Sequence, residues 1–239
     1  NCKHKEINSI MENNGIKISP KFTQKDWLDL DLSKNSNENW SKAIEIFQDR
    51  IEGRYFKQIE ALDNNIDTSI RLFSGFAIMS ITCLLIETLE QFWTGNIASS
   101  RINAKSKKNF FFFFLLKKEM YVSNVVNVFH AFFQRSSELK KFFDTVEKSN
   151  VFYTKIRCGL LHQGQTKGKS LIHIKKNAPI LAWINESNIE EGLSIQRRLF
   201  VNEIYKIYEE YIYELKKPNN HNFRHKTLFK KMKYIVEQK

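Results

Sequence analysis

The feature that most constrains this chain is a run of apolar residues at helical spacing. Trp40, Ile44, Phe47, Ile51, Tyr55, Ile59 and Leu62 recur at three- and four-residue steps, while Glu, Lys, Arg and Gln fill the positions between. That pattern puts one apolar stripe along a helix of more than 20 residues, starting near Glu38 and ending at Asp63-Asn-Asn65. A stripe of this length has to be covered by other helices. The 239 residues contain 8 Gly and 3 Pro, too few breakers for a sandwich or barrel of short strands. The expected class is mainly α: a bundle of long antiparallel helices.

Further stripes follow. A second helix is expected from about Asp67 to Trp93, with Ile70, Phe73, Ala77, Ile81, Leu84 and Phe92 as its stripe and Gly95 at its C-terminal cap; Cys83, Leu85 and Ile86 widen the stripe, so burial on more than one side is expected. Glu87 and Glu90 interrupt this apolar helix; either an arginine pairs with each, or they lie on a solvent-facing edge. A third helix carries Val122, Val125, Val126, Phe129, Phe132 and Phe133, restarts at Ser136 and continues through Leu139, Phe142, Phe143 and Val146. His130 within it reads as a core histidine. Ser149-Asn150 are candidate caps for the next segment. Ser170–Lys175 and Pro179–Ile184 suggest a small β-hairpin at about 170–185, and a final long helix is expected over Ser194–Lys217. The divisions are an N-terminal arm (1–36), a helical domain (37–217) and a basic C-terminal helix (218–239). Within the arm, Trp27-Leu-Asp-Leu-Asp-Leu32 alternates like a short strand.

Charge and cysteine content narrow the function. The net charge is +12, an excess that favours a polyanionic partner, nucleic acid first. Three widely spaced cysteines suggest neither a disulfide framework nor a zinc knuckle, and a reducing cytoplasm is the simplest home. No signal peptide is apparent. The run Phe110–Leu116 is far shorter than the roughly 20 residues that span a bilayer. Core or a homodimer seam is preferred over a membrane-surface anchor, and no stable membrane insertion is expected.

Proton chemistry concentrates in Phe152–Thr166, FYTKIRCGLLHQGQT. It carries Arg157 and His162 in the pattern Arg, four residues, His, and leads into the basic loop Gly164–Ser170. Imidazole gives and takes protons near neutral pH, and guanidinium braces two phosphate oxygens. Together they suit RNA cleavage by the internal 2′-hydroxyl with no metal and no cofactor. Residues five apart on a regular helix are separated by about 140°. Convergence therefore requires either unwinding near Gly159–Gly164 or a second protomer. The competing reading is a structural arginine and a helix-terminal histidine.

The segment RCGLLHQ, with CLLIETLEQ (Cys83–Gln91) upstream, resembles the HEPN superfamily of all-helical nucleases and toxin-like proteins over roughly residues 38–217. The resemblance implies a homodimer whose arginines and histidines meet in one cleft. It also implies metal-independent cleavage of RNA to a 2′,3′-cyclic phosphate, in toxin–antitoxin or anti-phage defence, with an antitoxin or defence-system partner. Arg157 and His162 match the motif. Cys158 departs from it, since a polar residue commonly follows the arginine, and this motivates the alternative of a catalytically inactive HEPN module that binds RNA or a protein. Lys155, Gln163, Lys167 and Lys169 are candidate RNA contacts, and Tyr153, Cys158 and Glu87 candidate supporting groups.

Two look-alikes are set aside. Gly164-Gln-Thr-Lys-Gly-Lys-Ser170 has three residues between its glycines and runs from helix to strand, the reverse of a phosphate-binding P-loop. His221 and His225 have no third ligand near them in sequence.

Overall fold

A computed structural model describes residues 15–32, 37–96, 124–217 and 223–237. The protein is mainly helical, and the first long stripe forms as its spacing dictates. Helix α2 (Asn37–Ile51) continues through a π-helical turn (Glu52–Phe56) into α3 (Lys57–Asp63). Ala43, Ile44, Ile46, Phe47 and Ile51 are buried, and Phe47 meets Phe92 edge-on at 4.6 Å.

The arm lies against this unit, with Ile18 and Trp27 buried. The Lys21 amide donates to Asp49 at 2.8 Å, and Arg50 bonds the Ile18 carbonyl. Gly53 permits the approach, because a Cβ there would stand 2.2 Å from Pro20 Cγ. The alternating stretch is not a strand. Residues Gln24–Leu28 form the short helix α1, whose N-terminus is closed by reciprocal hydrogen bonds between Thr23 and Asp26. Local capping outweighs the period-two pattern.

The second helix is divided. Asp67 caps α4 (Thr68–Phe73), and after Ser74 the chain restarts as α5 (Gly75–Thr94), which ends at Gly95 in the left-handed conformation, φ 70°. Its buried side matches the expectation at Cys83, Leu85, Ile86 and Phe92 and departs from it elsewhere. Ile78, Met79, Thr82, Cys83, Leu85, Ile86, Leu89 and Phe92 face the core. Four members of the predicted stripe, Ile70, Phe73, Ala77 and Leu84, are instead exposed. A helix apolar around its circumference does not reveal which side its neighbours take.

Helices α6 (Asn124–Phe133), α7 (Ser137–Phe142) and α8 (Val146–Val151) follow. Ser136 caps α7 and Thr145 caps α8, whereas Ser149 is buried and bonded to His130 at 3.1 Å. Phe129, Phe133, Phe143, Phe152 and Phe200 form an aromatic core around this corner, with Phe133 and Phe143 stacked at 4.1 Å. A π-helical turn (Phe152–Arg157) then leads into α9 (Cys158–Gln163).

The expected hairpin is a three-stranded sheet in the order β1-β3-β2. Strands β1 (Leu171–His173) and β2 (Leu181–Trp183) do not pair with each other. Between them runs β3 (Leu193–Gln196), parallel to β1 and antiparallel to β2, over residues expected to open the last long helix. That helix, α10, spans Arg197–Lys216. The C-terminal α11 (Phe223–Glu237) packs on α5 and α10 through Leu228, Met232 and Val236. Phe110–Leu116, the loop before it, Val122 and His221 lie outside the described residues, as do residues 1–14 and 33–36 of the arm.

Candidate functional site

The site is built on the π-helical turn. Such a turn inserts one residue into the helical ladder and often marks a functional position. Here the Cys158 amide reaches back five residues to the Tyr153 carbonyl. The turn ends at Arg157, directed toward the central helix α5, where its Nε donates to Glu87 Oε1 at 2.8 Å. The two side chains are 18% and 11% exposed. Of the two expectations for Glu87 and Glu90, the paired one holds for both, since Glu90 takes two hydrogen bonds of 2.8 Å from Arg135.

The electrostatics follow from this pairing. Burial opposes the charge on Arg157, but the hydrogen bond and charge of Glu87 outweigh it and raise the guanidinium pKa above its ordinary value. Tyr153 sits one turn earlier, with its ring 5.5 Å from the guanidinium carbon. Burial and a hydrogen bond with Cys158 push its phenol up. Cys83, fully buried on α5, is also pushed up, first by burial and then by Glu87. The supporting residues Tyr153, Cys158 and Glu87 therefore surround Arg157. Only Nε of the guanidinium is engaged by protein: among the described residues, neither Nη amine has a hydrogen-bond partner.

His162 is placed differently. It is exposed on the last turn of α9, ahead of Gly164, which caps the helix at φ 68°. Among the described residues the imidazole has no hydrogen-bond, ion-pair or ring partner, Arg157 included. Residues Cys158–Gln163 are regular α-helix, so the unwinding that would bring the two together within one protomer is absent. The irregular turn precedes the motif instead of dividing it.

The basic loop folds back over this helix. The Lys167 amide bonds the Lys155 carbonyl at 2.9 Å, and the Lys169 amide bonds that of Glu191 at 2.9 Å. Gly159 makes room, because a Cβ there would stand 2.5 Å from the Gln165 carbonyl oxygen. The candidate RNA contacts divide. Lys155 is half-buried with Glu190 at 3.5 Å, and Lys169 pairs with Glu191 at 2.7 Å. Gln163 is exposed and Lys167 half-buried, with no side-chain bond among the described residues. The acidic turn Ile189–Glu191 that holds both lysines is 20 or more residues from them in sequence, and the sequence pattern gave no sign of it.

Comparison of the chain with protein-family models, curated proteins and solved structures gives no match.

Other histidines are structural in character. His225 is buried, stacks on Trp40 at 4.2 Å and bonds the Leu215 carbonyl at 2.9 Å. Among the described residues no group of three His, Cys, Asp or Glu side chains is arranged to hold a metal ion. Helix α5 is long and apolar enough to cross a membrane, but most of it is buried against other helices, and both its carboxylates pair with arginine.

Proposed function

We propose that the protein is a metal-independent endoribonuclease of HEPN type, acting as a homodimer. The observation that carries this reading is the Arg157 guanidinium. It is anchored through Nε by Glu87, with both Nη amines unengaged among the described residues, one helical segment away from the solvent-facing imidazole of His162. A guanidinium fixed on one edge presents its other edge as a fork suited to two phosphate oxygens. The net charge of +12 favours the same polyanionic substrate.

In the reaction proposed, the ribose 2′-hydroxyl attacks the adjacent phosphorus and an imidazole takes its proton. The 5′-oxygen leaves with a proton supplied by a second imidazole. The products are a 2′,3′-cyclic phosphate and a 5′-hydroxyl, and Arg157 steadies the charge on the pentacovalent phosphorane. Two imidazoles require two protomers, as does the straight helix that keeps Arg157 and His162 apart.

The surface that supports dimerisation is the outward stripe of α4 and α5. Ile66 is 96% and Phe73 85% exposed, and Ile70, Leu72, Phe76 and Leu84 extend the patch. Clusters of large exposed apolar side chains mark association surfaces. On the α5 circumference Glu87 stands about 20° from Phe76, so the Arg157 pair borders the stripe. A seam along it places both motif helices at its edges.

A second reading, an HEPN-type module that binds RNA without cutting it, is favoured by Cys158 at the position after the arginine and by the partial neutralisation of Arg157 by Glu87. The test compares wild type, Arg157→Ala and His162→Ala on single-stranded RNA in EDTA, with product ends identified. Cleavage to cyclic phosphate by wild type alone supports the nuclease. RNA binding by wild type with no cleavage supports the second reading.

A further inference from the structure

A well-formed cleft lies away from Arg157. It has a volume of about 480 Å³ and opens between α3 and the start of α10, with Ile78 of α5 in its wall. Ile78 and Glu87 are about 180° apart on α5. The cleft is therefore on the opposite face from the proposed nuclease site.

Its lining combines three chemistries. Phe56 and Tyr205 meet edge-to-face at 4.9 Å and, with Ile59 and Val201, provide an apolar wall. Asn64 and Asn202 bring carboxamides that have no hydrogen-bond partner among the described residues. The third component is a fixed cationic corner. Asp63 accepts from Arg197 at 2.8 and 3.1 Å and from Arg198 at 2.6 Å, so one carboxylate serves two guanidiniums. Arg197 is buried and also bonds the Arg71 carbonyl at 2.6 Å, whereas Arg198 is 45% exposed and its Nη1 has no partner among the described residues.

We propose that this cleft binds a nucleoside monophosphate. Two amides, each with donor and acceptor, suit the edge of a heterocyclic base. The aromatic wall takes the face of the base, and Arg198 takes the phosphate. The volume falls in the range of small-molecule sites. Glu60 on the rim and a single Arg198 nitrogen, Nη1, without a partner among the described residues favour one phosphate over two or three. The proposal does not depend on the nuclease reading.

Isothermal titration of the full chain with AMP, GMP, CMP and UMP tests it, with adenosine and inorganic phosphate as controls. At least one monophosphate is expected to bind saturably at concentrations up to about 1 mM, more tightly than either control. Asn202→Ala, which breaks no side-chain bond among the described residues, should weaken binding by about fivefold or more. Val201→Trp should abolish binding by filling the cleft, with its fold checked by thermal unfolding. The binding that Val201→Trp abolishes should persist in Arg157→Ala. No saturable binding by any monophosphate overturns the proposal. So does binding that ignores both Asn202→Ala and Val201→Trp, or that is lost in Arg157→Ala.

Discussion

Arg157 Nε donates to Glu87 Oε1 at 2.8 Å, across 70 residues of sequence and between two helices. This bond ties the π-helical turn to α5 and fixes the orientation of the one motif group that faces inward. Removing either member leaves the other in a poorly hydrated position. Glu87→Gln and Arg157→Met are each expected to lose about 1.5–3 kcal/mol of stability. The double variant should lose less than the sum, with a coupling of about 1 kcal/mol or more in urea unfolding. Additive losses would show that the bond contributes nothing. Glu87→Gln should also lower RNA cleavage while His162 remains in place.

Two glycines near the motif are expected to differ. Gly164 has open space around its Cβ position but φ 68°, so Gly164→Ala carries a backbone penalty of about 1 kcal/mol. Gly159 is helical, and a methyl there meets the Gln165 carbonyl at 2.5 Å. Gly159→Ala should therefore cost more than Gly164→Ala, by about 1 kcal/mol or more, and expose the 164–170 loop to protease. Equal unfolding midpoints would contradict the packing of that loop.

Lys231 supplies a pH prediction. It is buried on α11, and burial followed by the nearby Arg50 lowers its pKa to about 8. In the unfolded chain a lysine titrates near 10.4. Between those values the unfolded state holds more protons, so stability rises with pH from about 8 to 10. Lys231→Met should be more stable than wild type at pH 7, with the difference shrinking across that window. A difference constant from pH 7 to 10 would contradict the assignment.

Much of the scaffold is legible in the sequence because helix periodicity is local. The stripe from Trp40 to Leu62 forms one continuous helical unit, and Asp67, Ser136 and Gly95 act as the caps their residue types suggest. What escapes is set by distant partners. The outward turn of Phe73 and Leu84 was hidden because α5 is apolar on both sides. Strand β3 was absorbed into the last helix because four residues, Leu193–Gln196, are too few for their period to show, and their paired residues lie 10 or more positions upstream. Asp63 read as a helix end, though a carboxylate there opposes the helix dipole. The two arginines that offset it, Arg197 and Arg198, are 134 and 135 residues away. At the motif, the pattern pointed to Arg157 and His162 but not to the acidic turn that occupies Lys155 and Lys169.

The exposed apolar stripe should govern association. Phe73→Ser with Leu84→Ser removes apolar surface without touching the core. In sedimentation the pair of changes should convert a dimer to a monomer, leave the unfolding midpoint nearly unchanged and abolish RNA cleavage. A wild-type monomer at micromolar concentration would contradict the assigned seam.

The most direct measurement mixes an active protein with an inactive one. Wild type is co-refolded with increasing amounts of His162→Ala and incubated with single-stranded RNA in EDTA. A site that takes one imidazole from each protomer across the seam predicts that mixed dimers are silent, so cyclic-phosphate product falls with the square of the wild-type fraction. Product that falls only in proportion to the wild-type fraction, or full activity in His162→Ala alone, would contradict it.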